Sequence, residues 1–310
     1  MKTDFAKLSL LFLLLAVVLM GCAPADDLSP TLVPTFNVPS ETETAPPATP
    51  DPVVATAGTA VAIGPALPSE AAVILVGEGE TLNLRTSAGI ENALVTTVGG
   101  NATGLFRTGL AQFSGEDLWA EVRTSTGETG WVNARFLTEY VPPEKFCADP
   151  QIQFLLDDLL IALKSENGEL LATLVSPVHG LDLRYFHHGT LANYTPEEAA
   201  WVFQSSYEVL WGYAGGSGAE VNGTFSEVPL PMLLDVLNSN YELHCNDVGV
   251  TAAFAQEPWP PEYENINFYN VFKPATDQYG GLDWRAWLIG VEYVGGKPYL
   301  FALTHFEWEP

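Results

Sequence analysis

Trp284-Arg285-Ala286-Trp287-Leu288-Ile289-Gly290-Val291-Glu292-Tyr293-Val294 is an apolar, aromatic and β-branched run that leads into Gly295-Gly296-Lys297. Such a run reads as a strand, and paired glycines, free to adopt positive φ, supply a hairpin turn. Pro298 to Trp308 then forms the returning strand, and Asn265 to Phe272 reads as a further strand before it. Aromatic residues crowd this last stretch. Alternation would place about half on each face, one set against helices and some of the rest lining a concavity.

Toward the N-terminus the period changes. Ile152, Phe154, Leu155, Leu156, Leu159, Leu160 and Leu163 recur at three- and four-residue spacing, with Asp157, Asp158 and Lys164 off the stripe, as in an amphipathic helix. A second helix fits Glu169 to Leu174 and stops before Ser176-Pro177. Thr195-Pro196-Glu197-Glu198 is a helix start, with a capping residue, proline at the first helical position and early acids. Another helix covers Leu230 to Leu237, and Gly216-Ser217-Gly218 reads as a turn. Residues 145–310 are therefore expected to form an α+β domain, helices packed on a curved antiparallel sheet.

Residues 72–141 have another texture. Short alternating runs (Val73 to Val76, Leu82 to Arg85, Leu94 to Val98, Leu118 to Val122, Gly130 to Val132) are separated by glycine-containing turns, the pattern of a small all-β barrel. Three ordered blocks, Leu82-Asn83-Leu84-Arg85-Thr86-Ser87, Trp119-Ala120-Glu121-Val122-Arg123 and Gly130-Trp131-Val132-Asn133-Ala134-Arg135-Phe136-Leu137, resemble the bacterial SH3 (SH3b) domain. The resemblance implies an SH3-like barrel that recognises a cell-wall peptide or an envelope protein, without assigning a ligand face. Where the family usually has a Pro-Gly turn this chain has Ala88-Gly89-Ile90, so ligand-facing loops are expected to differ. Trp119 and Trp131 are expected in the core, and Arg85 to cap strand ends or pair with Glu128. Residues 145–310 resemble the uncharacterised C-terminal halves of other SH3-containing bacterial lipoproteins and, in the order of helices and strands, the nuclear transport factor 2-like family.

Between residues 22 and 71 the chain is rich in proline and threonine, a composition that builds no core and reads as a disordered, semi-stiff tether. Residues 1–21 read as a lipoprotein signal peptide: two lysines, then an apolar run from Leu8 to Met20. As a helix that run would cover about 20 Å, short of the roughly 30 Å hydrocarbon core. Leu19-Met20-Gly21-Cys22 resembles the bacterial lipobox, which implies lipidation of Cys22 and attachment to the cell membrane on its extracytoplasmic face. Lipidation leaves Cys147 and Cys245, and export from the reducing cytoplasm favours a disulfide between them, contributing about 2–4 kcal/mol. A net charge of −26 disfavours nucleic acid as a partner.

For catalysis, His179, Arg184, His188, His244, Asp247, Arg285 and His305 all fall near expected strands or strand ends and form the candidate pocket. His187 and His188 are adjacent, so on a strand only one of them could join a given site. None of the histidines stands in a zinc motif, and no metal or cofactor is expected. Two readings of function follow. In the first the chain is a membrane-anchored extracytoplasmic binding lipoprotein; in the second it is an envelope hydrolase or isomerase that uses the His/Asp/Arg pocket.

Overall fold

The computed structural model describes residues 61–62, 69–249 and 259–308. The signal segment, Cys22 and most of the stretch read as a tether lie outside the described residues. The fold is mostly β, built on curled, largely antiparallel sheets with few helices.

The first sheet contains β1 (Val61–Ala62), β2 (Glu70–Val73), β3 (Thr81–Arg85), β4 (Leu94–Gly99), β5 (Leu105–Ser114), β6 (Asp117–Arg123), β7 (Thr129–Asn133) and β8 (Leu137–Glu139). Its order is β4-β3-β7-β6-β5-β2-β8, with β1 also on β5. Alternation sets the inward face: Leu82 and Leu84 of β3 are buried while Thr81 and Asn83 are exposed. They pack with Val73, Leu105, Val122, Val132 and Leu137. A register shift between Arg107 and Ala111 lets the long β5 bend across the layer. Trp119 and Trp131 are buried together against Ala88, as expected of core residues.

Beyond Pro142 come α1 (Pro143–Cys147), α2 (Gln151–Lys164), α3 (Gly168–Leu174), β9 (Leu181–Arg184), β10 (Leu191–Tyr194) and α4 (Pro196–Trp201). They are followed by β11 (Val209–Tyr213), β12 (Glu220–Gly223), α5 (Pro229–Leu237), β13 (Glu242–Cys245), β14 (Asn267–Lys273), β15 (Arg285–Val294) and β16 (Lys297–Glu307). Thr195 caps α4 in a reciprocal capping box with Glu198. Gly295 and Gly296, both at positive φ, turn the β15–β16 hairpin. Gly216, Ser217 and Gly218 lie in the turn between β11 and β12.

The second sheet runs β10-β9-β16-β15-β14-β13. It departs from the expected antiparallel layer in one place, where β9 lies parallel to β16. The apolar β16 would otherwise offer a long unpaired edge, and β9 covers it. Both faces of the sheet's inner strands, β9 and β14 to β16, are buried. On one, Val271, Trp287, Ile289 and Leu303 pack with Leu156, Leu159 and Leu233 of the helices. On the other, Phe268, Leu288 and Phe306 pack beneath Trp259 and Val248. The Trp259 ring lies 4.6 Å from that of Phe268 and fills the space above Gly290.

Cys147 at the end of α1 and Cys245 at the end of β13 form a disulfide across a sequence separation of 98, as expected. The two sheets are also fastened together. Ile74, fully buried, packs among Tyr263, Ile266 and Phe301, Leu75 N–H donates to the Glu262 carbonyl at 2.8 Å, and the Asn265 amide donates to the Val73 carbonyl at 2.8 Å. Among the described residues no helix is long and apolar enough to cross a membrane.

Candidate functional site

β3 and the loop after it build a cleft of about 230 Å³ at one end of the first sheet. Its walls come from Val76, Trp119 and Phe136, and its rim from Glu80, Asn83, Arg85, Ile90 and Asn133. The loop is held by short local bonds. Arg85 Nη1 donates to the Asn92 carbonyl at 2.8 Å, and the Asn92 amide donates to the Ala88 carbonyl at 2.8 Å. Gly89 turns the loop at φ 117°, which leaves Ile90 76 % exposed at the rim. Arg85 thus braces the loop, while Glu128 accepts from Thr124 and Thr126 instead of pairing with it.

The cleft combines an apolar wall with amide, guanidinium and carboxylate groups on the rim. Such a lining suits a short peptide, whose backbone needs both donors and acceptors while its side chains need apolar contact. Its volume lies below the roughly 300–1,000 Å³ of drug-sized pockets, so it admits one or two residues.

A second polar cluster lies where the two sheets meet. Ser176 donates its hydroxyl to Glu292, and that hydroxyl accepts from the backbone N–H groups of Val178 and His179 at 3.1 and 3.0 Å. His179 Nδ1 lies 2.6 Å from Glu292 Oε2, and its Nε2 lies 3.0 Å from the Arg135 carbonyl. The order is serine to glutamate to histidine. A nucleophilic triad needs the serine hydroxyl on the imidazole, with that ring nitrogen able to accept its proton. Here the hydroxyl is directed to the carboxylate and both ring nitrogens face other acceptors, an arrangement that clamps the two sheets. Arg107 stands nearby, its guanidinium pushed down from the usual value by burial, with Glu139 and Glu292 opposing.

The seven residues expected to form a pocket distribute over several neighbourhoods. His179 belongs to the clamp. Arg184 lies 3.9 Å from Glu262, and His188 sits in a turn with its ring on Phe186. The strand geometry considered for His187 and His188 is therefore absent, and His187 stacks on Phe306. His244 on β13 lies 3.3 Å from Glu242, and Asp247 accepts from Gly249 N–H within its own loop. Arg285 stands 3.5 Å from Asp235 and 3.8 Å from Glu307. The pair brought nearest is Arg285 and His305, diagonal on the β15–β16 ladder, where Arg285 faces Glu307 and His305 faces Trp287, and the Arg285 charge reaches the imidazole.

His305 is buried at 1 % exposure beside the rings of Trp287 and Tyr185. Its Nδ1 lies 3.0 Å from the Tyr185 carbonyl, which assigns the proton to Nδ1. Burial pushes its pKa down from 6.5 to about 3; Arg285 and His187 add to the lowering, and the Tyr185 bond and Asp235 oppose it. The unfolded chain takes up this proton below about pH 6.5, whereas the folded chain does so only near pH 3. Stability carried by the neutral ring is thus complete above the unfolded pKa and lost as pH falls toward the folded one. The expected loss is about 2 kcal/mol by pH 5 relative to neutral pH. Urea denaturation of the wild type and of His305→Phe between pH 7 and 4 checks this, and parallel pH profiles would refute it.

Among the described residues no group of three or more His, Cys, Asp or Glu side chains is placed to hold a metal ion. Comparison with family models, with curated proteins and with solved structures returned no match for this chain. Sequence reasoning marked Ala88-Gly89-Ile90 as a departure but not as the presenter of Ile90 at a cleft rim. It quoted Asn133 within the third block without giving it a place at a cleft, and it passed over Glu80 and the Ser176–Glu292 bond altogether, since that bond joins residues 116 positions apart.

Proposed function

We propose that the chain is an exported binding lipoprotein, held through lipidated Cys22 on the extracytoplasmic face of the cell membrane and lifted from it by the proline-rich tether. In this reading residues 72–141 are an SH3-like module and residues 145–310 an α+β domain on which it is mounted. The module binds a short peptide of the cell wall or of an envelope protein. What carries the reading is the cleft beside β3, with Asn83, Arg85, Glu80 and Asn133 around Trp119 and the exposed Ile90. Its polar groups match a peptide backbone, and its apolar wall matches one side chain. The three ordered sequence blocks and the lipobox supply the context.

Co-sedimentation of the mature chain with purified cell wall tests the proposal. Retention is expected for the wild type and loss of retention for Ile90→Asp and Asn83→Ala, since both side chains are solvent-facing and outside the core. Equal retention of wild type and variants would contradict it, as would no retention of either.

A further inference from the structure

A groove of about 670 Å³ lies along β10 on the other sheet. All four residues of that strand line it, those pointing to one face and those pointing to the other, so the groove borders an edge. Among the described residues β10 is the terminal strand of its sheet and pairs only with β9. The opposite wall is α4 and the segment leading to β11. Trp201, 67 % exposed, and Tyr207, 74 % exposed, stand over the groove with rings open to solvent.

The charge there has one sign. Glu197 and Glu198 line the groove, and among the described residues no lysine or arginine does. Glu198 has one oxygen engaged by the Thr195 N–H in the capping box, while Glu197 makes no hydrogen bond or ion pair among the described residues. Tyr194, Glu198 and Tyr207 all line this groove, and the Tyr194 phenol is pushed up to about 12 by burial first and then by the charges of Glu198 and Tyr207. Exposed rings beside an uncompensated carboxylate attract an organic cation through the ring quadrupole and through charge. An open strand edge accepts an extended backbone.

We propose that this groove is a second binding site, separate from the cleft beside β3, which takes an extended peptide bearing a basic side chain. The peptide adds to the outer edge of β10, and its ammonium group sits between the Trp201 and Tyr207 rings with Glu197 as counter-ion. The proposal does not depend on the function of the SH3-like module.

Fluorescence polarisation with the mature chain tests it. The probe is a labelled hexapeptide of alternating threonine and valine with one lysine, capped at both ends so that lysine is the only charge. Saturable binding is expected, weakened at least fivefold by lysine acetylation and by Trp201→Ala, within the range of a cation–π contact. Trp201→Ala keeps the net charge and removes a solvent-facing ring, so it separates the site from general attraction to an acidic chain. Glu197→Gln is expected to weaken binding in the same direction and to make it less salt-dependent. Equal affinity for the acetylated peptide, or binding unchanged by Trp201→Ala, overturns the proposal. So does binding of a neutral chito-oligosaccharide at these rings with none of the peptide.

Discussion

A Glu292→Ala variant is expected to lose about 3–5 kcal/mol of stability, the usual consequence of removing one partner of a buried polar pair. Glu292 is 2 % exposed and takes the Ser176 hydroxyl on one oxygen and His179 on the other. Alanine leaves both donors without an acceptor. It also takes away a negative charge that favours the buried Arg107 guanidinium. Because His179 reaches across to the Arg135 carbonyl, the loss falls on the contact between the two sheets. Urea denaturation of Glu292→Ala, His179→Ala and the double variant measures the coupling directly. A cost below about 1 kcal/mol for Glu292→Ala, or strictly additive single changes, would show that the cluster is not a clamp.

The second large effect is that of the disulfide. Replacing Cys147 and Cys245 together by serine is expected to cost about 2–5 kcal/mol, because the bond closes a long loop in the unfolded chain. The same region carries other fastenings, since the Tyr269 hydroxyl donates to the Cys147 carbonyl at 3.1 Å and β13 pairs with β14. These keep the reduced fold recognisable while lowering its urea midpoint. Denaturation with and without reductant should shift the wild type to the midpoint of the double serine variant. Identical midpoints for wild type and variant under oxidising conditions would contradict the assignment.

How much of this was legible in the sequence follows from where each signal resides. The β15–β16 hairpin was, because Gly295 and Gly296 announce a turn and the flanking runs admit little else. The stripe of α2, the Thr195 cap and the cysteine pair are equally local or countable. Short strands such as Leu181-Asp182-Leu183-Arg184 were not, since one brief alternation does not set a strand apart, Asp182 is buried beside its leucines, and β9 is defined by its parallel partner at the far end of the chain. The burial of both faces of β15 was hidden for the opposite reason: a strand apolar throughout has no alternation from which to read a solvent side. The expected concavity of aromatics is instead closed by Trp259 and Val248.

The candidate pocket shows the same limit. Nearness of His179, Arg184, His188, His244, Asp247, Arg285 and His305 to strand ends says nothing about which face or which end of the sheet each occupies. His305 points with Trp287 into the helix-covered core, whereas His187 stacks on Phe306, which belongs to the other face. A spacing of one residue along a strand, as between His305 and Phe306, separates such groups across a full sheet layer.

Under the proposed function a short envelope peptide binds in the cleft beside β3. The most direct measurement is a titration of the isotopically labelled mature chain with the peptide fraction of purified cell wall, following the Trp119 indole and the Ile90 methyl resonances. Saturable shifts at both are expected, and Ile90→Asp should abolish them. Saturable shifts elsewhere with Trp119 and Ile90 unmoved, or no shifts at all, would rule out binding of the peptide in this cleft.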